Sequence, residues 1–256
     1  MNTRVFVKAY DTPEERAQAV RHHAWLAAHA RPLRQPAIET VGATSIGFAY
    51  VDGRHPRVED LPMLAVLLGD THGAAWVSDL YQARLDVSHR MTSGHTMADF
   101  ITVRLAALDA RRRTRHLASD EDLAVANRLL LTSAVGPVAF YKDTNPRNIL
   151  ITGRGIPVAV DVDDLTLAPF GYDLAKLIVT LAMTYGPLPP AAIRHSLIAY
   201  NRAAARHNAR LGGTNMAQLL DHVELHRIFT APYLGRGGYR HVWPQERSAM
   251  EPEGSA

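Results

Sequence analysis

Asp143 and Asn148 stand in the run Tyr141-Lys142-Asp143-Thr144-Asn145-Pro146-Arg147-Asn148, just ahead of the apolar stretch Ile149-Leu150-Ile151. A carboxylate and an amide at D-x-x-x-x-N spacing can serve one reaction together. The carboxylate accepts the proton of a hydroxyl, and the amide oxygen holds a metal ion on a phosphate in transfer. Downstream, Val158-Ala159-Val160 leads into Asp161, Asp163 and Asp164, where the chain turns back toward the same loop. One of these carboxylates can bind Mg²⁺, a hard cation that takes one or two carboxylates and completes its shell with phosphates and water. Asp and Asn also fill Pro-containing loops simply because they make turns. The order and spacing of the set, rather than any one residue, point to phosphoryl transfer.

Such loops need elements to hold them. Arg4 to Tyr10 reads as a short strand with Lys8 near its end. A helix to about Ala30 follows, with Asp11 or Thr12 as its cap, Pro13 in its first turn, and Glu14 and Glu15 at the positive end of its dipole. Ala37–Val41 and Ser45–Val51, separated by Gly42, read as two antiparallel strands. After Asp52-Gly53-Arg54 the periodicity becomes helical, over Leu61–Trp76, Met97–Leu108 and Glu121–Leu131. Strands at Val138–Tyr141, Ile149–Ile151 and Val158–Val160 interrupt it, and helices resume near Asp173, Pro190 and Asn215. The expected class is α+β: a small strand-rich first lobe over 1–52 and a larger, mainly helical one over 53–256. The tail from Ser248 to Ala256 is expected to be disordered.

Three motifs in order, Asp143 to Asn148, Asp161-Val162-Asp163 and Gly171-Tyr172-Asp173-Leu174-Ala175, resemble the H-G-D-x-x-P-x-N, D-[FW]-[DE] and Y-D-L-A pattern of the aminoglycoside phosphotransferase and choline kinase family. The resemblance implies a protein-kinase-like two-lobed fold with ATP and Mg²⁺ as cofactors. Asp143 is then the catalytic base, Asn148 and Asp161 the metal ligands, with Asp163 the rival to Asp161, and Asp173 a support for the metal-binding loop. It also implies that Lys8, in Val5-Phe6-Val7-Lys8, binds the α- and β-phosphates and pairs with a helix glutamate, Glu15 in preference to Glu14. Backbone groups from Ala49 to Val51 would bond adenine, and His72 would be a packing or capping residue. The chain departs from the pattern where Tyr141-Lys142 replaces the family His-Gly. Lys8 also lies so near Met1 that the glycine loop covering the phosphates has no sequence to form it, so the first lobe is expected to lack that loop.

Composition narrows the alternatives. With Cys at 0, thiolate nucleophiles, disulfides and Cys-ligated zinc are excluded. No apolar run has the length needed to cross a bilayer and the N-terminus lacks a signal-peptide layout, so a cytoplasmic protein with no membrane partner is expected. A net charge of +3, with 28 Lys+Arg against 25 Asp+Glu, argues against a nucleic-acid partner. The run Arg111, Arg112, Arg113, Arg115 and His116 lacks interleaved aromatics and reads as a solvated helix end. His222 and His226, at i and i+4 without a third ligand, read as a solvated or packed pair. Arg236-Gly237-Gly238-Tyr239-Arg240 either lines a substrate pocket or forms a flexible loop. The expected activity is ATP-dependent transfer of phosphate to a hydroxyl of a small molecule, an antibiotic or a metabolite. Cationic aminoglycosides carry less weight, because they call for an acidic cleft and the chain is basic. The alternative is a degenerate kinase fold that binds nucleotide or a partner without catalysis.

Overall fold

A computed structural model describes residues 4–92, 94–161, 163 and 165–243; the tail from Ser248 lies outside them. The first strand β1 (Val5–Ala9) pairs antiparallel with β3 (Ser45–Ala49), which also pairs with β2 (Ile38–Val41), giving a sheet of order β1-β3-β2. Lys8 faces Ile46 in this register. Between β1 and β2 runs α1 (Pro13–His29). Thr12 accepts from the Glu15 N–H at 3.1 Å and Glu15 accepts from the Asp11 N–H at 3.1 Å, so the helix start satisfies its own orphan donors.

The rest of the described chain is mainly helical, with α2 (Leu61–Ser78), α3 (Phe100–Arg113), α4 (Asp120–Ser133), α5 (Tyr172–Tyr185), α6 (Pro190–Ala205) and α7 (Met216–Thr230). Small antiparallel sheets lie among them. β4 (Gly53–Arg54), β8 (Ile149–Thr152) and β9 (Pro157–Ala159) form one, β7 (Val138–Tyr141) and β10 (Thr166–Pro169) a second, and β5 (His89–Arg90) and β6 (Thr96–Met97) a third. Met97, expected in a helix, belongs to β6, because Asp99 caps α3 by accepting from the Thr102 N–H at 2.7 Å. Likewise β3 stops at Ala49, short of Val51.

Two large apolar clusters hold the structure. One joins α2, α5, α6 and α7 through residues such as Leu68, Leu177, Tyr200 and Val223; the other gathers Trp25, Phe100, Phe140 and Tyr172. The sheet of β1, β2 and β3 has a cluster of its own, in which Ile46 and Phe48 of β3 meet Ala19 from the first half of α1. Trp25 and Leu26, in the second half of α1, are buried in the larger cluster instead. One helix thereby fixes the small sheet on the helical body. Gly69 lets α2 approach α6 closely, since a Cβ there would meet the Tyr200 carbonyl oxygen at 2.2 Å.

Candidate active site

The Asp143–Asn148 loop leaves β7 and enters β8. Asp143 adopts the left-handed region at φ 55°, which Asp and Asn tolerate better than most residues. Two N–H groups around it are held by one side chain: Asp173, fully buried at the start of α5, accepts from Lys142 N–H and Thr144 N–H, each at 3.2 Å. Asp173 therefore braces the loop carrying Asp143, rather than the metal-binding loop expected of it. His72 is buried as expected, its Nδ1 2.8 Å from the Tyr200 hydroxyl.

The Asp143 carboxylate accepts from the Tyr141 hydroxyl at 2.8 Å and Asn145 Nδ2 at 3.1 Å, and pairs with Lys176 Nζ at 3.0 Å. Burial works to raise its pKa, but Lys176, Tyr141 and Lys142 outweigh burial and hold it below the usual carboxylate range. It is therefore ionised at neutral pH. Tyr141, which stands where the family pattern has histidine, thus sets its hydroxyl on the Asp143 carboxylate. Lys142 Nζ donates to the Asp161 carbonyl at 2.7 Å and so ties this loop to the next.

Asn148 donates Nδ2 to the Asp143 carbonyl at 2.9 Å, which leaves its Oδ1 without a donor among the described residues. Asn148 and Asp161 share the wall of a cavity of about 350 Å³ with Lys8, Ala49 and Val51. Phe6, Phe48, Leu150 and Val160 give it apolar surfaces. Five residues singled out from the sequence are thus brought to one cavity. The Ala49 and Tyr50 N–H groups are spent on the Ala37 and Arg4 carbonyls, so of the expected adenine-facing segment only Val51 keeps a free N–H among the described residues.

Glu15 is not brought there. It is exposed and caps its own helix, and Lys8 pairs instead with Asp161 at 3.0 Å and with Asp163. Burial works against the Lys8 charge, yet the bonds to Asp163 and Asp161 prevail and raise its pKa. Asp163 differs from Asp161 in its surroundings: it accepts from the Tyr10 hydroxyl at 3.2 Å, and its carbonyl meets His22 Nδ1 from α1. Among the described residues no three His, Cys, Asp or Glu side chains gather into a metal cage. The oxygens of Asn148 and Asp161 fit a cation that draws its other ligands from phosphate and water.

A second cavity, of about 620 Å³, is lined from the same loop. Asp143, Tyr141 and Lys176 line it with Arg104, Arg111, Tyr172 and Tyr239. Arg111 was expected on a solvated helix end; instead it lies in this wall, donating Nη2 to the Phe229 carbonyl at 2.9 Å, while Arg113 and Arg115 are exposed. Tyr239 brings the Gly237-Gly238 segment to the site, where a Cβ on either glycine would meet the Arg147 guanidinium at 2.6 or 2.8 Å. Of the Arg236–Arg240 segment, Tyr239 lines this cavity. His222 and His226 are packed, donating toward the Ser133 and Tyr172 carbonyls. Nothing in the sequence marked Arg104 or Lys176, because each sits singly on a helix whose partner loop is remote in the chain.

A strand-borne lysine, a carboxylate-amide loop and a buried aspartate bracing it, between a small sheet and a helical body, define the protein-kinase-like class. The family model described as the phosphotransferase enzyme family matches residues 2–211. The chain belongs to that family. Among solved structures it is similar to a macrolide 2′-phosphotransferase from Brachybacterium faecium, at 16% identity and TM-score 0.55 over 93% of this chain and 82% of that one. An aminoglycoside phosphotransferase from Streptomyces rimosus, solved with ADP and streptomycin, has 16% identity and TM-score 0.55 over 88% and 86%. An ethanolamine kinase from Plasmodium vivax has 12% identity and TM-score 0.55 over 89% and 68%. These likenesses concern the fold. No curated protein matches the chain in sequence. Among the described residues no helix is long and apolar enough to cross a membrane.

Proposed function

We propose that this protein transfers the γ-phosphoryl group of ATP to a hydroxyl of a small molecule. The observation that carries the reading is that one loop lines two cavities: Asn148 lines the cavity of Lys8 and Asp161, and Asp143 lines the other. A donor in the first and an acceptor in the second would meet across that loop, which is the positioning phosphoryl transfer needs. The apolar surfaces of Phe6, Phe48 and Leu150 suit a nucleobase, and Lys8 suits its phosphates. Lobes of 1–52 and 53–256 would then meet at the donor cavity. Asn148 and Asp161 would hold Mg²⁺, whose charge neutralises what develops on the transferring phosphoryl. Asp143, ionised and reachable from the second cavity, takes the acceptor's proton.

The Lys176 ammonium on Asp143 favours a second reading, nucleotide binding without turnover, because it occupies the base. Calorimetric titration with ATP and Mg²⁺, beside Asp161→Ala and an assay of ADP release over an acceptor panel, separates the two. Binding that Asp161→Ala abolishes, with acceptor-dependent ADP release, is expected. Binding without ADP release supports the second reading, and no binding at millimolar ATP sinks both.

A further inference from the structure

Arg104 is 5% exposed, and its Nη1 is buried without a partner. Its guanidinium lies 4.8 Å from the Phe100 ring centre, 4.9 Å from that of Tyr141 and 5.3 Å from that of Tyr172. No carboxylate pairs with it among the described residues. An aromatic cage offsets part of the cost of burying such a charge, and the Tyr172 hydroxyl accepts one hydrogen bond from the guanidinium, but Nη1 is left without an acceptor. Arg111, two turns further along the same face of α3, also keeps a buried Nε without a partner. Both line the cavity of Asp143, where, among the described residues, the cationic side chains are Arg104, Arg111 and Lys176 and the only carboxylate is Asp143 itself, already paired with Lys176.

We infer that the acceptor is an anionic hydroxyl compound, whose carboxylate or phosphate is bound by Arg104 and Arg111 while its hydroxyl reaches Asp143. The inference rests on the phosphotransferase reading for the hydroxyl, but the anion site stands on the two arginines alone. One tyrosine ring separates the two functions: Tyr141 lies under the Arg104 guanidinium and bonds Asp143 through its hydroxyl. The acceptor therefore spans little more than that ring between its anion and its reacting oxygen. Tyr172, Tyr233 and Phe229 in the same wall favour a compound with a planar or apolar body. A polycationic amino sugar would set its ammonium groups against both arginines.

The test compares acids with neutral amides of the same shape: 3-phenyllactate, mandelate and 4-hydroxyphenylacetate, each beside its primary amide. Binding is read by calorimetry without nucleotide, and transfer by ADP release with ATP and Mg²⁺. At least one acid is expected to bind more than about tenfold tighter than its amide, the scale of one charge-assisted hydrogen bond. Arg104→Met, apolar and of similar length, is expected to erase that preference and leave ATP binding unchanged. Should Arg104→Met fail to fold, Arg111→Gln and the acid-to-amide ratio of the unaltered protein decide. Equal binding of acid and amide, binding of neither, or preferential phosphorylation of a cationic amino sugar overturns the inference. Acid-selective binding without ADP release supports the anion site and counts against the phosphotransferase reading alone.

Discussion

At the scale of single residues, the charge state of Asp143 is set by a contest. Burial favours the neutral acid, whereas Lys176, Tyr141 and Lys142 favour the carboxylate and prevail. Lys176 is the first of these, so Lys176→Met removes the largest opposition to burial and leaves Tyr141 and Lys142. The Asp143 pKa then rises, and the proposed base loses its charge at a higher pH. The acid limb of kcat/KM is expected to move upward, with smaller changes at pH 8 and above. An unmoved limb would show that another group limits the reaction in acid. The same contest explains why Tyr141-Lys142 can replace the family His-Gly: both residues act on the loops, one on the carboxylate and one on the Asp161 carbonyl.

At the scale of elements, the contact of α2 with α6 depends on Gly69. A methyl group there would meet backbone, the Tyr200 carbonyl oxygen, which cannot rotate away. Gly69→Ala is expected to cost about 1–3 kcal/mol despite the better helix propensity of alanine, read as a lowered urea midpoint at unchanged m-value. Gly136→Ala is no substitute control, because its φ of 91° brings strain of its own. Elements of this body were legible where their signals are local: the Thr12 cap with Pro13, and the apolar runs of β7 and β8. Those that require a distant partner were not. β4 is two residues long and exists through β8, and β10 is defined by its pairing with β7. The same holds for the site. Asp143, Asn148 and Asp161 carried a readable order, whereas Arg104 and Lys176 acquire their roles by folding, and Glu15 lost its expected one because helix capping satisfied it first.

At the scale of the whole molecule, two buried histidines make stability depend on pH. Burial holds His222 down to about 4 and His226 well below the ordinary histidine value of 6.5. Below pH 6.5 the unfolded chain binds protons at both and the folded protein does not, so the sign is fixed: stability falls as pH falls. For His222 the loss runs from about pH 6.5 down to about 4, and His226 adds to it in the same direction. Urea unfolding at pH 7.5, 6 and 5 is expected to show this loss, and His222→Gln to make it shallower; a flat profile would place the titration elsewhere. The left-handed backbone of Asp143 has a consequence for descent. Asparagine shares the tolerance of aspartate for that conformation, and its codons differ from those of aspartate by one transition. A single base change would therefore silence the proposed chemistry while the loop, both cavities and their ligands stay in place, so that within this lineage an enzyme and a non-catalytic receptor are adjacent genotypes.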